Sequence, residues 1–178
     1  QLQRVHDLVK AFNIPLFTMH GFEADDIIGT LSRQAEEQTI NIHIITGDKD
    51  ILQLLSPNIS VRIPRYGEAD VVCDEAHFQQ EYGFPPIRLI DYKALVGDTS
   101  DNIPGVAGIG DKTAKQLLQQ YGTLDGIYQN LQLLSKGVRE KLTVGRDSAY
   151  TSYRLAKIMR DLPITLDLER CVAHDFDV

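Results

Sequence analysis

Three short stretches of the 178-residue sequence gather carboxylates. They are Glu23-Ala24-Asp25-Asp26, Thr46-Gly47-Asp48-Lys49-Asp50 and Gly97-Asp98-Thr99-Ser100-Asp101-Asn102. Together they hold seven acidic side chains, with no histidine or cysteine among them. Oxygen-only donors in that number suit a hard cation such as Mg²⁺ or Mn²⁺. Without a cation, crowded anions repel one another, raise their own pKa values and destabilise the fold. The chemistry that most needs such a centre is phosphodiester hydrolysis, in which two ions about 3.5–4 Å apart activate a water and stabilise the leaving oxygen. A structural Ca²⁺ site is the competing idea, but the spacing does not match an EF-hand loop. Each cluster also has a plainer reading. Acids cap helix N-termini at the first two, with Lys49 balancing charge at the second. Asp and Asn side chains fold a turn at the third.

A second kind of chemistry lies in residues 103–118, Ile-Pro-Gly-Val-Ala-Gly-Ile-Gly-Asp-Lys-Thr-Ala-Lys-Gln-Leu-Leu. Gly105, Gly108 and Gly110 permit backbone conformations that other residues resist. The turn Gly108-Ile109-Gly110 opens a helix whose free N–H groups can hold a phosphate. Lys112 and Lys115 add positive charge beside it, and Ile109, Ala114, Leu117 and Leu118 pack the turn against neighbours. This is a hairpin-like element for gripping a DNA backbone without reading bases. It is not a Walker motif, because no GK[ST] follows the required spacer.

The elements that must position these groups are legible from periodicity. Residues 2–12 read as an amphipathic helix that starts at the first residue, Gln1, without a cap; the chain is expected to be a piece of a longer polypeptide. Leu16 to Met19 reads as a short strand and Ala24 to Glu37 as a helix. Ile40 to Thr46 is β-branched at five of seven positions and reads as a buried strand. A short helix over 49–55 and two strands at 59–63 and 71–73 follow. Beyond them lie helices at 74–82, 86–96, 111–121, 123–131, 135–143 and 147–160, then a strand at 164–168. The outline is an α/β first part, residues 1–73, followed by a helical lobe, residues 74–178.

Composition narrows the class. No run of about 18 apolar residues exists to span a membrane, and the start carries no signal-peptide pattern. Cys73 and Cys171 stand alone, which argues against a disulfide framework or a zinc site and fits a reducing, cytoplasmic setting. The net charge of -7 speaks at first against a nucleic-acid partner. The charge is uneven, however: residues 1–111 carry 8 basic and 17 acidic side chains, and residues 112–160 carry 9 and 3. Setting the seven clustered carboxylates aside leaves the remainder neutral, with its basic part beside the glycine turn.

The strings from Glu23 to Gly29, Thr46 to Asp50 and Gly97 to Ala114 resemble the 5′-nuclease (flap endonuclease) family, most closely the 5′→3′ exonuclease domain of bacterial DNA polymerase I. The resemblance covers nearly the whole chain. It implies a PIN-like α/β core with a mainly parallel sheet, and a helical lobe carrying a helix–three-turn–helix clamp. It also implies Mg²⁺- or Mn²⁺-dependent hydrolysis of DNA at 5′ ends and flaps, on nicked or branched duplex, as in primer removal and repair. By motif position Glu23, Asp25, Asp48, Asp50 and Asp101 are expected as metal ligands, with Asp26 and Asp98 matching the pattern. Asp25, Asp48, Asp50 and Asp101 are the expected catalytic set. Gly105, Gly108, Ile109, Gly110, Lys112, Thr113 and Lys115 are expected to hold duplex backbone, with a monovalent cation on the turn's carbonyls. A bacterial cytoplasmic monomer joined to the rest of a polymerase is the implied setting. The family's domain also has a strand ending in an aspartate, a second aspartate and a basic arch. These have no counterpart here, so the chain is expected to be the later two-thirds of such a domain, with its activity alone left open. A non-catalytic duplex-binding module and another Mg²⁺-dependent nuclease or phosphatase are the alternative readings.

Overall fold

The computed structural model describes residues 2–172; Gln1 and the stretch 173–178 of the expected helical lobe lie outside the described residues. The chain divides into two compact units, residues 1–40 with 159–178, and residues 41–158.

The first unit is built on helix α2, Ala24–Glu36, preceded in sequence by α1, Leu2–Ala11. Glu23 and Asp26 start α2 with a reciprocal capping box, which satisfies backbone N–H groups that have no intrahelical partner. Its buried face carries Ile27, Thr30, Ser32 and Ala35. Along that face the returning segment is held through its backbone. Asp26 Oδ1 accepts from Met159 N at 2.8 Å and Thr30 Oγ1 from Leu162 N at 3.2 Å. Arg33 Nε donates to Arg160 O at 2.6 Å. Gln34 both donates to Ile164 O and accepts from Leu166 N, each at 2.7 Å. This corrects the strand expected at 164–168, which does not form. The Gln34 amide supplies the donor and acceptor that a neighbouring strand would have supplied, so the extended segment needs no ladder. The strand expected at Leu16–Met19 is absent too: no ladder forms there, and apolar composition alone does not make a strand without a paired neighbour.

The second unit holds a three-stranded sheet, order β1-β2-β3, made of Ile42–Ile45, Ile59–Ile63 and Val71–Cys73. β1 and β2 pair in parallel, β2 and β3 antiparallel. The α/β class holds, and the expected parallel core is represented by the single β1–β2 pair of a mixed sheet. A 3₁₀ helix, Lys49–Leu54, links the parallel strands and buries Ile51, Leu52 and Leu54. Of β1 only Ile44 is buried, whereas Ile45 is 66% exposed, so the expectation of a fully buried strand fails at this edge position.

The rest of this unit is helical: α3 Glu75–Tyr82, a 3₁₀ turn Pro86–Arg88 running into α4 Leu89–Val96, then α5 Asp111–Tyr121, α6 Leu124–Gln129, α7 Lys136–Val144 and α8 Arg146–Ala156. Asp74 caps α3 by accepting from His77 N at 2.8 Å, and Gly83 ends it in the left-handed region. Ile59, Val61, Phe78, Leu95, Leu124, Ile127 and Leu142 are almost wholly buried. Each contributes roughly 1.5–3 kcal/mol relative to leaving it in water. The helix expected to run to 160 stops at Ala156, where the buried Gln53 side chain donates to Ala156 O and accepts from Ile158 N, both at 3.0 Å. That amide pairs the backbone past the helix end and draws it out of the helix.

Candidate metal centre and nucleic-acid interface

Two chain segments of the second unit bring carboxylates together. The first leaves β1. Thr46 Oγ1 accepts from Asp48 N at 3.0 Å, and Asp48 Oδ1 accepts from Asp50 N at 2.9 Å, which starts the 3₁₀ helix and fixes the Asp50 backbone. The second leaves α4 at Gly97, whose φ of +79° turns the chain sharply. Asp98 and Ile103 then exchange two backbone hydrogen bonds, both 2.8 Å, and close a tight loop that carries Asp101. Behind it Gly105 passes so near that a Cβ there would lie 2.3 Å from Gly97 N. Two strands of backbone touch at this point, and only glycine fits.

Asp50, Asp98 and Asp101 each offer an oxygen within 4.8 Å of the others. A buried lysine lies among them. Lys93, 7% exposed on α4, bonds Asp50, and its Nζ stands 2.8 Å from Asp98 Oδ2 and 3.8 Å from Asp101 Oδ2. Burial works to lower the Lys93 pKa, but the bonds to Asp50 and Asp98 outweigh it and raise it, so the group stays a cation. The bonds from Lys93 and Ser100 hold the Asp98 carboxyl down at about 2. Asp50 is raised by burial in spite of Lys93, and Asp48 and Asp101 push the same way. Asp48 thus lies close enough to add like charge, although its own Oδ1 serves as a cap.

Of the expected ligands, then, Asp50, Asp98 and Asp101 converge, with Asp48 at their edge. Glu23, Asp25 and Asp26 belong to the other unit. There Glu23 and Asp26 carry the capping box, and Asp26 is bonded through one oxygen to Glu23 N and through the other to Met159 N. Lys93 was missed by sequence reasoning. The signal available was a cation in a largely apolar helix, Leu89-Ile90-Asp91-Tyr92-Lys93-Ala94-Leu95-Val96, five residues before Asp98.

The glycine turn is anchored from behind by α8. Gly105 N donates to the buried Ser152 Oγ at 2.9 Å, and Ser148 Oγ donates to Gly105 O at 2.6 Å. Val106 and Ile109 are buried, so any DNA contact at Ile109 is made by its backbone. Gly110 precedes α5 with no side-chain cap, which leaves the helix's first N–H groups to other acceptors. Lys112 is exposed, Thr113 half-buried. Lys115 is committed elsewhere: it pairs with Asp111 at 3.0 Å and lies over the Tyr82 ring at 5.2 Å. A second missed cation, Lys141, donates to Gly108 O at 3.0 Å.

Residues 1–83 match the family model described as 5′-3′ exonuclease, N-terminal resolvase-like domain, and residues 84–178 the model described as 5′-3′ exonuclease, C-terminal SAM fold. DNA polymerase I of Caldicellulosiruptor bescii is 46% identical over 172 residues, which cover 95% of this chain and 20% of that protein. The thermostable DNA polymerase I of Thermus aquaticus is 38% identical over 170 residues, 96% of this chain and 20% of that one. The chain therefore spans about a fifth of the length of these relatives. Among solved structures, the phage T5 D15 protein co-crystallised with metal ions superposes with a TM-score of 0.77 at 24% identity, covering 87% of this chain and 56% of that one. The catalytic core of Rad2 in complex with DNA gives 0.60 at 20% identity, covering 90% and 57%. At these identities the two structures speak for the fold.

Proposed function

The chain belongs to the 5′-3′ exonuclease family, and from that premise we propose that it is the 5′→3′ exonuclease and flap-endonuclease domain of a DNA polymerase I, hydrolysing DNA phosphodiesters at 5′ ends and flaps. The observation that carries the reading is the convergence of Asp50, Asp98 and Asp101 on one point, in the unit that also holds the glycine turn.

The donor set fits Mg²⁺ or Mn²⁺: three carboxylate oxygens, no nitrogen or sulfur, and a space already suited to a cation. Asp50, Asp98 and Asp101 would hold divalent ions, two in the reading proposed, and ions held there would supply water activation and charge stabilisation for the leaving oxygen. The protein's own part is to hold the ligands. The Asp98–Ile103 loop fixes Asp98 and Asp101, and the Asp48 cap fixes Asp50. Glu23, Asp25 and Asp26 are proposed as further ligands on motif resemblance. The glycine turn offers backbone N–H groups to the phosphates of a duplex, with Lys112 and Lys141 adding charge. The monovalent cation proposed for the turn's carbonyls would compete with Lys141, whose ammonium bonds the Gly108 carbonyl. Part of the proposal is a division into a catalytic core over 1–73 and a helical clamp over 74–178. So is the bacterial cytoplasmic setting of a monomeric polymerase polypeptide; among the described residues no helix is long and apolar enough to cross a membrane.

The test is a comparison of three substrates in Mn²⁺: 5′-flap DNA, single-stranded RNA and a small phosphate ester. Cleavage confined to the flap duplex supports the proposal. Equal turnover of RNA or the ester contradicts it, and tight flap binding without cleavage assigns the chain to a non-catalytic clamp.

A further inference from the structure

Resting on the metal-centre reading, we infer that Lys93 is a resident counter-cation, which holds the three carboxylates in place when metal is absent and must leave before a divalent ion can enter. Its Nζ is bonded to Asp50 and lies 2.8 Å from Asp98 Oδ2 and 3.8 Å from Asp101 Oδ2. An ammonium presents three N–H donors, and here three carboxylates face it. One carboxylate oxygen from each of the same three residues lies within 4.8 Å of the others. A divalent ion ligated by them at about 2.0–2.6 Å takes up the same space, and two cations cannot share it. Lys93 has the means to move: its charge sits on a flexible four-carbon stem. Its 7% exposure in a helix otherwise buried through Leu89, Ala94 and Leu95 is tolerated only while the ammonium is paired. The lysine is thus a positioning residue. It keeps Asp50, Asp98 and Asp101 converged in the metal-free protein, and its displacement weakens metal affinity.

Two measurements on the full chain test this. In the wild-type protein, limited acetylation followed by peptide mass spectrometry reads the accessibility of Lys93. Mn²⁺ is expected to increase its modification severalfold, while Lys112 and Lys136, both exposed, stay constant. In Lys93→Met, electron paramagnetic resonance of free Mn²⁺ is expected to show binding at least tenfold tighter than wild type. The variant should melt below wild type in chelator and regain the difference in saturating Mn²⁺. The inference is overturned if Mn²⁺ binds the wild type with no change in Lys93 modification, or if Lys93→Met binds Mn²⁺ no more tightly. Should Lys93→Met fail to fold, Lys93→Gln and the wild-type labelling carry the test. Absence of Mn²⁺ binding in every protein overturns the metal-centre reading itself, a result distinct from the other two.

Discussion

At the scale of single residues, the centre works as a balance of charge. Asp98 is held near a pKa of about 2 by Lys93 and Ser100, against 3.8 for a free carboxyl. A carboxyl lowered in the folded state adds stability that is fully present above the unfolded value and is lost as pH falls through the folded one. Stability should therefore decline between about pH 4 and pH 2, beyond what general acid unfolding gives. Urea midpoints measured from pH 5 to pH 2 read this, and Asp98→Asn should flatten the slope in that window. Much of this site was legible in the sequence, because carboxylates at i, i+2 after a strand and in a tight Asp-rich turn announce themselves by type. Two things were not. One is how Asp26 is engaged beyond its capping of α2: its other oxygen holds Met159 N, a partner 133 residues away that no local pattern shows. Lys93 was silent because a lysine's burial depends on carboxylates arriving from 43 residues upstream and 5 and 8 residues downstream, which no local pattern shows.

At the scale of elements, the glycines divide into two kinds that the sequence does not distinguish. Gly105 has a φ of +63° and no room for a Cβ. Gly105→Ala should cost about 2 kcal/mol or more from the left-handed conformation and the clash with Gly97, read by chemical denaturation. Gly110 has an extended φ of -105° and nothing within 4 Å of where a Cβ would stand. Gly110→Ala should thus cost under about 1 kcal/mol as a changed N-cap, while weakening duplex binding by crowding the backbone; fluorescence anisotropy with a labelled duplex checks it. If Gly110→Ala binds as the wild type does, the phosphate is not held at this turn. Buried Asp91 belongs to this scale as well: it accepts from Leu124 N at 2.8 Å and so ties α4 to the start of α6. Asp91→Ala leaves that N–H without its acceptor and should destabilise by about 2 kcal/mol, seen as a shifted denaturation midpoint. Periodicity located α3, α5 and the end of α4 to within a residue because their apolar stripes and caps are local, while the start of α4 is a 3₁₀ turn over Pro86–Arg88. It misjudged 157–168 because Gln53 and Gln34, distant in sequence, supply the hydrogen bonds that decide that backbone.

At the scale of the molecule, a net charge of -7 is compatible with the proposed DNA substrate because seven of the carboxylates fall in the three clusters proposed to hold cations. The basic excess lies in 112–160, around the glycine turn. Duplex binding should weaken with salt, with a log–log slope of about -0.9 per phosphate contacted. Removing Lys112 or Lys141 should each make that slope less negative by about one unit, whereas Lys115→Met should change it little, since Lys115 is already paired with Asp111. The central claim is that the point where Asp50, Asp98 and Asp101 meet holds the metal that cleaves DNA. Its most direct measurement is the rate of 5′-flap cleavage against Mn²⁺ concentration, for the wild type and for Asp50→Ala with its fold verified by circular dichroism. Mn²⁺-dependent cleavage is expected, falling on the order of 10³-fold in the variant. Cleavage by Asp50→Ala at the wild-type rate, or by the wild type in excess chelator, would contradict it.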